Sequence, residues 1–404
     1  MEINEQVLEH KWDFNIADLL AKAEAIGKLA ESEAKEADIN ARFSDEISKA
    51  IKEAGFHKLM RPKKYGGLPI DLKTYGDIVS TVSRHSVAAG WLVYFYSIHE
   101  VWAAYLPPKG RDEIFGQGGL LADVVAPLGK VEKDKDGEGY RLSGKWNFCS
   151  GVLWSDWVGL GAVMELPDST EPEYCLLSVP KSDLTIVENW DTLGVRASGS
   201  NGVIAENAYV PIHRIYPADR AFATGKPEGG DFDESDRVYR IPFVPLFALG
   251  FPLVAIGGAE RLVSLFQERT EKRVRLFKSG ASEKDTSSSQ RVLAELKLEL
   301  SAMKGLMNIY IEQLQAWQVE GKAAINDEEK EHLFALRGQI AKSATDIAVK
   351  VLLTLGGTAI FKGDPVELFT RDLLALATHA SHHYEDSKAA YGRTLFGFAG
   401  DPVW

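Results

Sequence analysis

Two helical stripes in the last third of the chain limit its fold more than any other feature. Leu296, Leu300, Met303, Met307, Tyr310 and Leu314 recur at intervals of three and four residues, and Leu336, Ile340, Ala344, Ile347, Val351 and Leu355 do the same after a polar connection. Each stripe is an apolar face that must be buried against other helices. Two such helices with helical segments on either side predict an antiparallel four-helix bundle over residues 223–404. The apolar run VPLFALGFPLVAIGG at 244–258 is too short and too glycine-rich for a membrane span, and it predicts a buried helix.

The first 118 residues also read as helices. SDEISKAIKEAG opens on a Ser N-cap and closes on a Gly C-cap, and the loop FHKLMRPKKYGGLPID follows. From 119 to 222 the pattern switches to short runs rich in β-branched and aromatic residues, such as YRLSGKWNF, DWVGLGAVM and EYCLLSVP, broken by Gly, Asp, Asn and Pro. These predict antiparallel strands in a barrel or sandwich. The expectation is an α+β protein of three domains: helices over 1–118, strands over 119–222 and the bundle over 223–404.

Net charge is -12, which argues against nucleic acid and against anionic membranes as partners. Two cysteines, Cys149 and Cys175, are too few for a disulfide framework or a thiolate metal site. The polar, acidic N-terminus lacks a secretory apolar core, so the expected location is cytoplasmic. No strand is followed by G-x-G-x-x-G, which excludes a Rossmann-type NAD(P)H site.

The stretch GKWNFCSGVLWSDW (144–157) changes from bulky to small residues at Cys149-Ser150-Gly151 and back to tryptophan. A bulge over a tight core is one reading, and a flat ligand lying against the small residues is the other. Four further motifs occur in order: AGFHKLMRPKKYGG, DTLGVRASGSNGVIAENAYVP, VLLTLGG and TRDLLALATHA. Together with the α-β-α order they resemble the acyl-CoA dehydrogenase fold over most of the chain. Dehydrogenases of that fold commonly carry a glutamate base in a Tyr-Glu pair about seven residues after an Arg-Asp. Here His379 and Ala380 stand there after Arg371-Asp372, and alanine cannot act as a base. The pattern is instead similar to the two-component flavin-dependent monooxygenases built on this fold, the hydroxylases of p-hydroxyphenylacetate, dibenzothiophene and indoles among them. Their marks are matched by Gly90-Trp91 with His99, by NFCSG with Ser150, and by Arg371-Asp372 with His379. Two positions depart: Cys149 replaces the first of a Ser pair, and Asp123-Val124 stands where some phenol hydroxylases have a serine before Ala-Pro.

That resemblance implies transfer of one oxygen atom from O2, through a C4a-hydroperoxyflavin, to a phenol, indole or thiophene. It implies His99, Ser150 and His379 as catalytic residues, with Ser150 beside the flavin N5. Ser150, Gly151, Ser198, Ser200, Arg273, Arg275, Gly356 and Gly357 would bind the flavin, FMN rather than FAD. Trp91, Tyr96 and Trp154 would line the substrate cavity. It further implies a separate NAD(P)H:flavin reductase as partner and a homotetramer formed through the bundle. On a helix His379, His382 and His383 would share a face able to hold zinc, but no fourth ligand motif accompanies them and no metal is expected. The other readings are an acyl-CoA dehydrogenase or oxidase with its base relocated, and a flavin-fold scaffold without catalysis.

Overall fold

A computed structural model describes residues 15–400, apart from 69, 117, 136, 138, 225–228, 231, 233–235, 276–279 and 323. The helices α1 (Ile16–Asn40), α2 (Asp45–Ala54), α3 (Leu72–His85), α4 (Val87–Ala103) and α5 (Pro108–Phe115) come first. Gly55 closes α2 in the left-handed conformation and Ser44 holds its N-cap position, both as expected, but the Ser44 side chain makes no capping hydrogen bond. The Ser44 hydroxyl donates instead to Glu33 on α1, 2.6 Å away. α4 begins where the Ser86 side chain accepts the Ala89 N–H, and nearly every residue along it is buried, so it forms the spine between the sheet and the bundle.

The middle of the chain holds β1 (Leu121–Lys133), β2 (Gly139–Trp146), β3 (Trp157–Met164), β4 (Glu173–Pro180), β5 (Leu184–Val187), β6 (Gly202–Pro211) and β7 (Ile215–Pro217). They form one seven-stranded sheet in the order β5-β6-β2-β1-β3-β4-β7. The expectation of a wholly antiparallel barrel or sandwich is corrected here, because β1 and β3 run parallel. The reason is the segment 147–156, which carries the chain from β2 on one side of β1 to its other side, so that β3 enters in the direction of β1. β1 is shared between two partners. Leu121–Val124 pairs with β3, a register shift follows, and Lys130–Lys133 pairs with β2.

Helix α6 (Ala218–Thr224) runs across the expected boundary at 222. Then come α7 (Phe243–Phe247), α8 (Gly250–Lys272), the short pair β8 (Val274–Arg275) and β9 (Ala281–Ser282), α9 (Ser287–Glu320), α10 (Asp327–Leu355), α11 (Pro365–Leu376) and α12 (Tyr384–Leu395). All twelve stripe residues on α9 and α10 are buried. The predicted buried helix at 244–258 is α7 and the first half of α8. The stretch Phe243–Lys272 is long and apolar enough to cross a membrane, but most of its apolar window is covered by the rest of the chain. α8, α9 and α10 pack on one another, and α11 and α12, the two halves of a broken fourth element, lie against α10. That break carries the histidines.

Candidate active site

The small-residue stretch between β2 and β3 is a turn at the junction of sheet, α4 and bundle. β2 ends at Trp146, before the Asn-Phe that reads as strand. Phe148 has φ 68°, a left-handed conformation that costs an L-residue about 1–3 kcal/mol. It turns the ring out to 70 % exposure, edge-on to Trp190 at 5.9 Å. Cys149 points the other way into the sheet core, where burial pushes its thiol well above the ordinary range and leaves it inert. Gly151 has φ 74°, and a Cβ there would lie 2.4 Å from the Tyr96 hydroxyl. What approaches Gly151 closely is therefore Tyr96, whose hydroxyl donates to the Gly151 carbonyl at 2.6 Å.

Ser150 sits in a chain of hydrogen bonds whose direction is determined. The Trp91 indole N–H donates to Ser150 Oγ at 2.9 Å. At the other end Ser198 Oγ donates to the Val195 carbonyl at 2.7 Å, which uses its only hydrogen. The Ser198–Ser200 contact of 2.8 Å must then be donated by Ser200, and the Ser200–Ser150 contact of 2.9 Å by Ser150. Ser150 thus gives its hydrogen to Ser200, accepts from Trp91 and keeps one lone pair. Toward any further group it can therefore only accept.

The far end of the chain is held by the bundle. Val195 is left-handed at φ 54°, its N–H donates to Asp372 Oδ1 at 2.6 Å, and its carbonyl also accepts the Trp190 indole N–H at 3.0 Å. Arg371 binds Asp38 of α1, Glu367 and the Leu193 carbonyl. Gly194 is required at this contact, because a Cβ would stand 2.2 Å from the Arg371 carbonyl oxygen. The Leu-Gly-x-Arg and Arg-Asp motifs are therefore two halves of one clamp.

Trp91 also joins the third element. Its ring lies 4.4 Å from Phe95, 5.5 Å from Phe251 and 5.6 Å from His379. The expected three-histidine helical face does not form. His379 caps a short 3-10 turn, Ala380–His382, and His383 starts α12. The His379 side chain accepts the Ser381 N–H through Nδ1 at 3.2 Å, which assigns its ring hydrogen to Nε2. Its apolar neighbours push it down to about 4, so it is neutral at pH 7. His382 is buried and donates to the Leu376 carbonyl, while His383 is drawn to Asp386, 2.9 Å away. Among the described residues no group of three His, Cys, Asp or Glu is arranged to hold a metal ion. Ala380 is exposed at the position of the dehydrogenase base, and Glu385 and Asp386 face solvent.

Two turns beyond Trp91 on the same face of α4, fully buried His99 packs against Phe95 at 4.9 Å and Phe247 at 6.2 Å. Its Nδ1 lies 3.1 Å from the Leu121 carbonyl and its Nε2 3.2 Å from Asp123 Oδ1. Asp123 Oδ2 accepts the Trp102 indole N–H at 2.9 Å. The residues joined in one cluster are therefore His99, Ser150, His379, Trp91, Gly151, Tyr96, Ser198 and Ser200. Trp154 is apart from it at the surface, donating to Asp45 at 2.9 Å with Arg42 over its ring. Arg273 donates to the Leu355 carbonyl at 3.0 Å, which sets it beside Gly356 and Gly357 in a second grouping at the end of α10. The side chain of Arg275 lies outside the described residues. Phe148, Trp190, Asp123 and Asp372 escape the sequence-level site. The signal for Asp123 was a charge inside the apolar start of a strand.

The residues fit a reduced flavin. Its N5 carries a hydrogen and needs the acceptor that Ser150 offers, and the exposed Phe148 ring, two residues before Ser150 and edge-on to half-buried Trp190, leaves an apolar group near it for a flat ring. A Cβ on Gly356 or Gly357 would meet nothing within 4 Å among the described residues, so a bare backbone edge stands next to a guanidinium, as a phosphate requires.

A helix–sheet–bundle chain with this junction is a flavoprotein of the acyl-CoA dehydrogenase fold. The profile described as "Acyl-CoA dehydrogenase, N-terminal domain" matches residues 21–113, and the one described as "Acyl-CoA dehydrogenase, C-terminal domain" matches 249–384. The chain belongs to that family, and its homologues are oxygenase components of flavin-dependent monooxygenases. It is 26% identical over 398 residues to the "p-hydroxyphenylacetate 3-hydroxylase, oxygenase component" of Acinetobacter baumannii, which spans 97% of this chain and 92% of that one. It is 25% identical to the "Flavin-dependent monooxygenase, oxygenase subunit HsaA" of Rhodococcus jostii, over 94% of this chain and 98% of that one. Among solved structures, XiaF from Streptomyces, in complex with FADH2 and glycerol, superposes with a TM-score of 0.87 at 25% identity, covering 96% of this chain and 97% of that chain.

Proposed function

We propose that this chain is the oxygenase component of a two-component monooxygenase acting on a small aromatic or heteroaromatic substrate of phenol, indole or thiophene type. The observation that carries the reading is the directed chain Trp91–Ser150–Ser200–Ser198, an acceptor held for an N–H, together with Ala380 where a dehydrogenase needs its carboxylate. A reduced flavin supplies the electrons with which one oxygen atom of O2 enters the substrate while the other leaves as water. Ser150 holds the N5 hydrogen, and Gly151, Ser198 and Ser200 shape the turn around it. Arg273, Arg275, Gly356 and Gly357 bind the phosphate end, FMN being favoured over FAD. Trp91, Phe95 and Phe251 exclude water from the reacting face. His379, neutral with its hydrogen on Nε2, donates a hydrogen bond there, and His99 accepts the substrate proton.

A separate NAD(P)H:flavin reductase delivers the flavin, in the cytoplasm. Exposed Leu298, Leu353, Phe361 and Phe396 on and around the bundle support a homotetramer formed through it. The test is to mix the protein anaerobically with FMNH2 or FADH2, admit O2 and read phenols, indoles and thiophenes for the mass of one added oxygen atom. Bleaching of a tightly held oxidised flavin by an acyl-CoA would instead establish the dehydrogenase reading.

A further inference from the structure

His99 and Asp123 form a buried pair that the resemblance does not supply: Asp123 and Val124 occupy the stretch where some phenol hydroxylases carry a serine before Ala-Pro. The Leu121 carbonyl can only accept, so the hydrogen of His99 in its neutral form is on Nδ1. Nε2 then presents a lone pair 3.2 Å from a carboxylate oxygen, fully buried and too oblique for a hydrogen bond between the two. A lone pair held against an anion gains a proton more readily than one facing apolar walls alone. Burial pulls His99 down, and the Asp123 charge opposes that pull. Burial likewise raises Asp123, against the charge of His99 and the Trp102 N–H.

Among the described residues no further cation acts on the pair. On α4, Tyr94 lies within the field of Asp123, and Glu100 is turned to Arg61 in a separate buried ion pair. Cys149, from the turn before β3, and Tyr174, from β4, also feel Asp123. Burial raises Tyr94, Cys149 and Tyr174, so all three are neutral at pH 7. Of the two rings over His99, Phe95 and Phe247, both keep partial exposure, which makes their side of the imidazole the approach from solvent.

We propose that Asp123 is the positioning residue that makes His99 Nε2 a proton acceptor, and that the substrate is an aromatic presenting a neutral O–H or N–H to it. This rests on the oxygenase reading. The proton leaves the substrate heteroatom for Nε2, leaving a substrate anion and an imidazolium held by the Asp123 carboxylate, so the net charge of the buried site does not change. A substrate that arrives with an anionic group at this end meets Asp123 in a low-dielectric pocket and is rejected.

The experiment is a pH titration of the flavin-free protein followed by NMR of the His99 ring nitrogens and the Asp123 carboxyl carbon. The expected result is that both signals move at a common midpoint and that the His99 midpoint falls in Asp123→Asn and in Asp123→Ser. An Asp123 carbon that does not respond when His99 titrates overturns the proposal, and the wild-type protein alone decides this if neither variant folds. Turnover of a phenol series provides the second arm. Asp123→Asn is expected to lower kcat/KM about tenfold for weakly acidic phenols and much less for acidic ones. An equal loss across the series would make Asp123 merely structural. Absence of turnover with any reduced flavin would defeat the oxygenase reading and leave the NMR result standing.

Discussion

The backbone N–H of Val195 donates to Asp372 at 2.6 Å, and through this bond the bundle holds the loop that directs Ser150. Val195 is strained, its carbonyl ends the serine chain, and Asp372 touches none of the serines. Asp372→Ala should lower stability by about 1–3 kcal/mol, the cost of an orphaned buried N–H, offset in part by the strain that Val195 releases. It should also weaken reduced-flavin binding, as read by anaerobic titration. Unchanged binding would separate the clamp from the site.

Asp372→Asn keeps an acceptor oxygen but has no charge to bury. Burial pushes Asp372 up to about 7, while an unfolded aspartate titrates near 3.8. Between those values the folded state holds a proton that the unfolded chain has lost, so the wild type is destabilised as pH rises through the window. The stability of Asp372→Asn relative to wild type should therefore increase from pH 4 to 7 and level off above, by urea unfolding at each pH.

Ser200→Ala removes the group that takes the Ser150 hydrogen. Ser150 is then free to donate to an oxidised flavin, which offers a lone pair at N5 instead of a hydrogen. One hydrogen bond of about 1 kcal/mol corresponds to about a fivefold change. The ratio of oxidised to reduced flavin Kd should shift by that factor toward the oxidised form.

Ser150→Ala leaves the buried Trp91 N–H without its acceptor, at a cost of about 1–3 kcal/mol. Product per reduced flavin should fall while hydrogen peroxide release rises. Unchanged coupling between the two would remove Ser150 from the reacting face.

His57 is buried beside Arg61 and is pushed down to about 3, chiefly by loss of solvent. An unfolded histidine titrates near 6.5 and gains a proton that the folded one refuses, so His57 lowers stability as pH falls from about 6.5 toward 3. His57→Leu should lose less stability than wild type over that range in acid unfolding.

The striped helices were legible because burial of one face imposes a three-and-four spacing that the sequence carries locally. The direction of β3 was not, because it follows from where the 147–156 segment crosses β1 and not from any residue in either strand. His379, His382 and His383 satisfy a helical spacing, yet α11 ends at Leu376 and the His379 side chain caps the start of a separate 3-10 turn by accepting the Ser381 N–H. Ser150 stood out as a small residue between bulky ones. Its hydrogen-bond direction depends on Ser198, Ser200 and a carbonyl at Val195, contacts up to fifty residues apart, and no local pattern encodes them.

The most direct measurement of the central claim is binding of reduced against oxidised flavin, made anaerobically on wild type and Ser150→Ala. The acceptor role of Ser150 predicts tighter binding of the reduced form by wild type and loss of that preference in the variant. Equal affinity for both redox forms in wild type, or a preference that survives in Ser150→Ala, would contradict it.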